Sequence, residues 1–65
     1  MQFETEIQKQ SFEAKKNLGD VIFEGMFRPY AYHKQVPTLV IEFKTGKQKR
    51  YCIDAMGYDV NMPLP

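Results

Sequence analysis

The stretch Thr38-Leu39-Val40-Ile41-Glu42-Phe43-Lys44-Thr45-Gly46-Lys47-Gln48-Lys49-Arg50-Tyr51-Cys52-Ile53-Asp54 decides the fold. Leu39, Ile41 and Phe43 alternate with Val40, Glu42 and Lys44, and Tyr51 and Ile53 alternate with Arg50, Cys52 and Asp54. A period of two places one set on an apolar face and the other on a wetter one. Thr45-Gly46 lies between the two runs, and glycine supplies the positive φ that a tight hairpin turn requires. The pattern predicts a β-hairpin with strands over 38–44 and 48–54.

Upstream, Val21, Ile22, Phe23, Met26 and Phe27 form a second β-rich run closed by Pro29. Val21, Phe23 and Phe27 fall on one face of it, and Gly25 on that face suggests a bulge or a close backbone approach. Residues 30–37 read as a loop. Residues 3–18 hold strong helix formers without proline or glycine. Phe3, Ile7, Ser11, Ala14 and Leu18 recur at helical spacing and predict the buried stripe, which leaves Phe12 pointing away. Lys15 and Lys16 suit the last turn, with Gly19 as its C-terminal cap. Phe3-Thr5-Ile7 can also be read as an alternating strand.

These pieces make a small α+β domain spanning 1–65, an N-terminal helix packed on an antiparallel sheet built from a strand and a C-terminal β-hairpin. Were residues 2–8 a strand instead, a small all-β barrel, SH3-like or OB-like, would result. Residues 55–65 contain Gly57, Pro63 and Pro65 and read as an extended tail. Tyr58, Val60, Met62 and Leu64 alternate along it, which suits a segment lying on this sheet or on a partner.

Bulk composition narrows the functional classes. The chain has 65 residues, 43% apolar and 26% charged, enough for one small core. Cys52 is the only cysteine, which points to a reducing compartment rather than a disulfide-stapled module. Met1-Gln2-Phe3-Glu4-Thr5-Glu6 lacks the features of a signal peptide, and no window approaches the ~20 apolar residues of a membrane span. A soluble, cytoplasmic chain without membrane contact is therefore expected. A core this small makes a homodimer a reasonable partner state.

The stretch from Thr38 to Tyr51 resembles the hairpin of the small KTSC-type domains, which carry a similar apolar–acid–Phe–Lys–x–Gly strand and turn followed by an Arg-Tyr strand. The helix those domains place after the hairpin is replaced here by Ala55-Met56-Gly57-Tyr58 and a proline-containing tail. No site residue is carried over from the resemblance.

Catalytic machinery is not expected. His33 and Cys52 are single residues without metal-ligand spacing, and Gly19, Gly25, Gly46 and Gly57 are too dispersed to cradle a phosphate. No cofactor and no metal are anticipated. A Cys52–His33 nucleophile pair is formally possible and requires a thiol of lowered pKa.

Two binding readings remain. Arg28-Pro29-Tyr30-Ala31-Tyr32 gathers three typical interface anchors, and the tail adds Tyr58, Met62 and Leu64. They point to a regulatory or inhibitory adaptor that occupies a surface on a protein partner, in the style of phage-encoded and accessory bacterial proteins. The alternative is weak nucleic-acid binding through Lys44, Lys47, Lys49 and Arg50 around the hairpin turn. A net charge of +1 favours neither. Its distribution is uneven, with six bases against Glu42 alone between residues 26 and 53.

Overall fold

A computed structural model describes residues 1–60 of the chain. It contains helix α1 (Glu6–Lys15), a 3-10 turn over Lys16–Leu18, and strands β1 (Asp20–Phe27), β2 (Val36–Glu42) and β3 (Gln48–Cys52). The strands form one antiparallel sheet in the order β1-β2-β3, with α1 packed on one face. The α+β architecture is therefore the one expected from the sequence. Because residues 6–15 are helical, no barrel forms.

The hairpin follows its turn chemistry. The Gly46 amide donates to the Phe43 carbonyl at 2.8 Å, and the Phe43 amide donates to the Lys47 carbonyl at 2.8 Å. Gly46 takes φ 88°. This is the three-residue hairpin loop, in which a left-handed glycine closes a turn. β2 starts and stops earlier than the expected 38–44, while β3 starts at 48 as expected and stops before 54. β2 begins at Val36 because Val36 pairs with Phe27 of β1. β3 ends at Cys52 because the Asp54 carboxylate accepts from the Met56 and Tyr58 amides, both at 2.9 Å, and turns the chain.

The inner face of the sheet carries the core. Phe12, Leu39, Ile41, Tyr51 and Ile53 form one buried cluster, with Phe3 and Phe43 packed against it. Phe3 meets Phe12 edge-on, with ring centroids 5.3 Å apart. This overturns the expected helical stripe. Phe12 is fully buried, whereas Ile7 is 61% and Leu18 48% exposed. The residue one turn before Phe12 on the buried face is polar: Gln8, 1% exposed.

Gln8 is buried because a proline sits in the middle strand. Pro37 lies opposite Ile53, whose amide donates to the Pro37 carbonyl at 2.9 Å. An antiparallel pair of this kind normally exchanges two hydrogen bonds, but proline has no N–H to return. The Gln8 side chain supplies the missing donor, reaching the Ile53 carbonyl at 3.0 Å. Its oxygen accepts from the Glu4 amide at 2.5 Å. Thr5 and Ser11 continue this polar seam, donating to the carbonyls of Ala55 at 2.5 Å and Gly57 at 2.7 Å. Thr5 is also the helix N-cap, accepting from the Gln8 amide at 3.0 Å.

Three further expectations are corrected. The β1 bulge lies between Val21 and Phe23, not at Gly25. It switches faces, so Val21 sits opposite Ile41 on the helix side while Phe23 and Phe27 sit opposite Val40 and Val36 on the other. Gly25 is regular strand whose bare Cα is covered by the Phe23 ring, 3.1 Å from where a Cβ would stand. Gly19 is not a left-handed cap, since its φ of 174° is ordinary extended backbone. It is glycine because a Cβ would come within 2.5 Å of the Glu42 carbonyl oxygen. Lys16 ties this junction together, contacting Glu13 at 3.3 Å and Glu24 at 2.9 Å.

Replacing Gln8 with Leu strands the Ile53 carbonyl and the Glu4 amide, and costs about 1–3 kcal/mol in urea unfolding. Adding Pro37→Ala restores a backbone donor to Ile53. The double variant is therefore expected to be more stable than the sum of the two single changes, and strict additivity would disprove the substitution of one donor for the other. Phe12→Ala, by contrast, is expected to cost about 3–5 kcal/mol in the same assay.

Candidate partner-binding site

One end of the sheet collects the anchors that the sequence singles out. β1 ends at Phe27, β2 starts at Val36 and β3 ends at Cys52, so the loops 28–35 and 53–58 emerge together. Arg28, Tyr30, Tyr32 and Tyr58 lie on these loops. Within the first, the His33 amide closes a turn on the Tyr30 carbonyl at 3.0 Å. The His33 Nδ1 meets the Lys34 carbonyl at 2.8 Å. Lys34 pairs with Glu4 and ties the loop to the start of the helix.

That scaffold holds Tyr30 and Tyr32 as a parallel stack, with centroids 5.4 Å apart and planes within 4°. Tyr30 is half-buried and Tyr32 is 87% exposed, so the pair offers a flat aromatic face to solvent. Arg28 is exposed beside it in sequence, and Tyr58 is 67% exposed on the neighbouring loop. Sequence shows that two tyrosines alternate here, but not that they stack. Met62 and Leu64, the other expected contact residues, lie outside the described residues.

The basic residues of the hairpin are separated by the pleat. Lys44 and Lys47 are exposed at the turn, at the opposite end of the sheet from the tyrosine pair. Lys49 lies opposite Ile41 on the helix side, its ammonium 4.8 Å from the Tyr51 ring centre, and Lys15 approaches the same ring at 5.7 Å. Arg50 lies opposite Val40 on the other face, with its guanidinium 4.6 Å from the Phe27 ring centre. Alternation thus divides the four cations among the tip and two faces.

The described part of the tail docks on its own sheet. The Val60 amide donates to the Cys52 carbonyl at 2.8 Å, Asp59 bridges to Ile53, and the Cys52 amide donates to the Asp59 carboxylate at 3.2 Å. Cys52 is fully buried opposite Thr38. Burial pushes its thiol up from the ordinary value, and hydrogen bonding to Thr38 and the charge of Arg50 offset this only in part. A nucleophilic thiol needs the opposite shift, whereas full burial and a raised pKa are what a packed strand cysteine shows. Among the described residues, no three of His, Cys, Asp and Glu converge as metal ligands, and no helix is long and apolar enough to cross a membrane.

Against known proteins, the chain matches no family model, no curated protein and no solved structure.

The thiol shift has a pH signature. The folded chain holds the Cys52 proton to higher pH than the unfolded chain, so the stabilisation is complete below the ordinary thiol pKa of about 9.0 and declines as pH rises through it. The decline is at most ~1.4 kcal/mol per pH unit. Urea midpoints between about pH 7 and 10 should fall more steeply for the wild type than for Cys52→Ala, and parallel curves would disprove the shift.

Proposed function

We propose that this chain is a small binding protein, a regulatory or inhibitory adaptor, that occupies a surface on a protein partner with the end of its sheet bearing Arg28, Tyr30, Tyr32 and Tyr58. The stacked, exposed tyrosine pair carries this reading. Tyrosine offers a large amphipathic contact area at low conformational cost, and two rings already stacked lose little further freedom on docking. Arg28 adds a cation with a planar donor fork suited to a carboxylate on the partner.

Nucleic-acid binding through Lys44, Lys47, Lys49 and Arg50 is the second reading, and it draws less support. A backbone-tracking site needs its cations along one groove, whereas here Lys49 and Arg50 face opposite ways.

The test combines capture with titration. Arg28→Ala with Tyr30→Ala is expected to abolish partner capture by the tagged chain while its circular dichroism is preserved. Tyr32→Ala alone should weaken capture by roughly 30-fold, the effect of losing a hot-spot residue. Capture that survives the double change rejects the site. Fluorescence anisotropy with labelled single- and double-stranded oligonucleotides should stay flat. Salt-sensitive binding lost on Lys47→Glu with Lys49→Glu would instead move the function to the hairpin.

A further inference from the structure

β1 is an edge strand of eight residues with unusual apolar exposure: Ile22 is 49%, Phe23 44% and Met26 40% exposed. Its regular part, Phe23–Phe27, contains no proline, lysine or bulge to blunt the edge, and Glu24 is its single charge. Among the described residues, no strand pairs with its outer side.

Register identifies the backbone groups on that side. The Pro37 carbonyl faces β3, where it accepts from Ile53. Successive residues of a strand face alternate ways, so Val36, Thr38 and Val40 turn their N–H and C=O toward β1. Their partners Phe27, Gly25 and Phe23 face inward to meet them. Glu24 and Met26 therefore present their N–H and C=O groups to the open edge. Beyond the bulge, the regular part of the strand reads Phe23-Glu24-Gly25-Met26-Phe27. It reads the same in both directions at Phe23, Gly25 and Phe27, with Glu24 and Met26 exchanging places.

We propose that two copies of the chain associate through β1, antiparallel about Gly25, joining two three-stranded sheets into one of six strands. Glu24 and Met26 of each copy then exchange backbone hydrogen bonds with Met26 and Glu24 of the other. Phe23 stands opposite Phe27 on the face away from the helices, and the two glycines meet at the dyad, where the chains approach closely. Glu24 faces Met26 rather than another acid, and its own charge is already met by Lys16 at 2.9 Å. The neighbouring registers are poorer. Shifting one way sets Glu24 against Glu24, and shifting the other puts Phe23 opposite Pro29, past the end of the strand.

Charge at position 26 tests both association and register. Sedimentation equilibrium of the wild type is expected to show a monomer–dimer equilibrium in the micromolar-to-millimolar range. Met26→Glu sets an acid directly opposite Glu24 in each of the two symmetry-related pairs and should weaken association by roughly tenfold or more. Met26→Lys sets a base there and should leave it unchanged or tighter. A wild-type monomer at every concentration, or a dimer indifferent to Met26→Glu, overturns the proposal. Weakening by both charges overturns this register, because it would place position 26 against itself. Should Met26→Glu fail to fold, hydrogen exchange on the wild type decides. The Glu24 and Met26 amides must gain protection as concentration rises, and unprotected amides at all concentrations refute pairing there. Partner capture through the tyrosine loop does not depend on this edge, so failure of either assay leaves the other interpretable.

Discussion

The structure turns on one missing hydrogen-bond donor. Pro37 sits in the central strand, where a residue without an N–H leaves the carbonyl across from it unsatisfied. In a three-stranded sheet this small, a buried orphan carbonyl costs a noticeable share of total stability. The Gln8 amide fills the gap from the helix, and in doing so fixes which face of α1 meets the sheet. Phe12, one turn on, is delivered to the centre of the core. Thr5 and Ser11 fasten the helix on either side by binding carbonyls of the 55–57 loop.

The two faces of the sheet consequently have different fates. The helix covers the inner one with Phe12. The outer one has no helix and is where the bulge in β1 sends Phe23 and Phe27. Arg50 spreads over Phe27 there, so a cation covers an apolar ring on the face where Val36, Thr38 and Cys52 are also buried. Polar stitching and cation–π contacts take over part of the role that apolar layers play in larger domains. The same economy of elements leaves β1 at the sheet edge, with no strand on its outer side among the described residues.

The hairpin was legible because its signals are local. Leu39, Ile41 and Tyr51 alternate over a short run, and Gly46 has few conformations in which it is preferred over other residues. The helix was legible as a helix but not in its rotation. An apolar stripe is a good guide only when the receiving surface is apolar throughout, and this surface includes bare carbonyls that select Gln8 over Ile7. Gly25 raised the right suspicion about β1 at the wrong residue, since a classical side-chain pattern does not distinguish a bulge from a glycine covered by its neighbour's ring. Of the candidate site, Arg28, Tyr30 and Tyr32 stand out in the sequence as interface-type residues, while the stacking of the two tyrosines does not.

The sequence by itself determined the hairpin, its turn at Gly46 and the presence of a single cysteine, because each depends on residues adjacent in the chain or on a simple inventory; it favoured the α+β class over a small barrel without deciding between them. Tertiary structure decided which face of the helix is buried, that Lys49 and Arg50 point away from each other, and that the tyrosine loop shares one end of the sheet with Tyr58. Those outcomes depend on strand register and on a donor supplied across 45 residues, from Gln8 to Ile53. Such a contact exists only once the chain has folded, so no periodicity in the sequence encodes it directly.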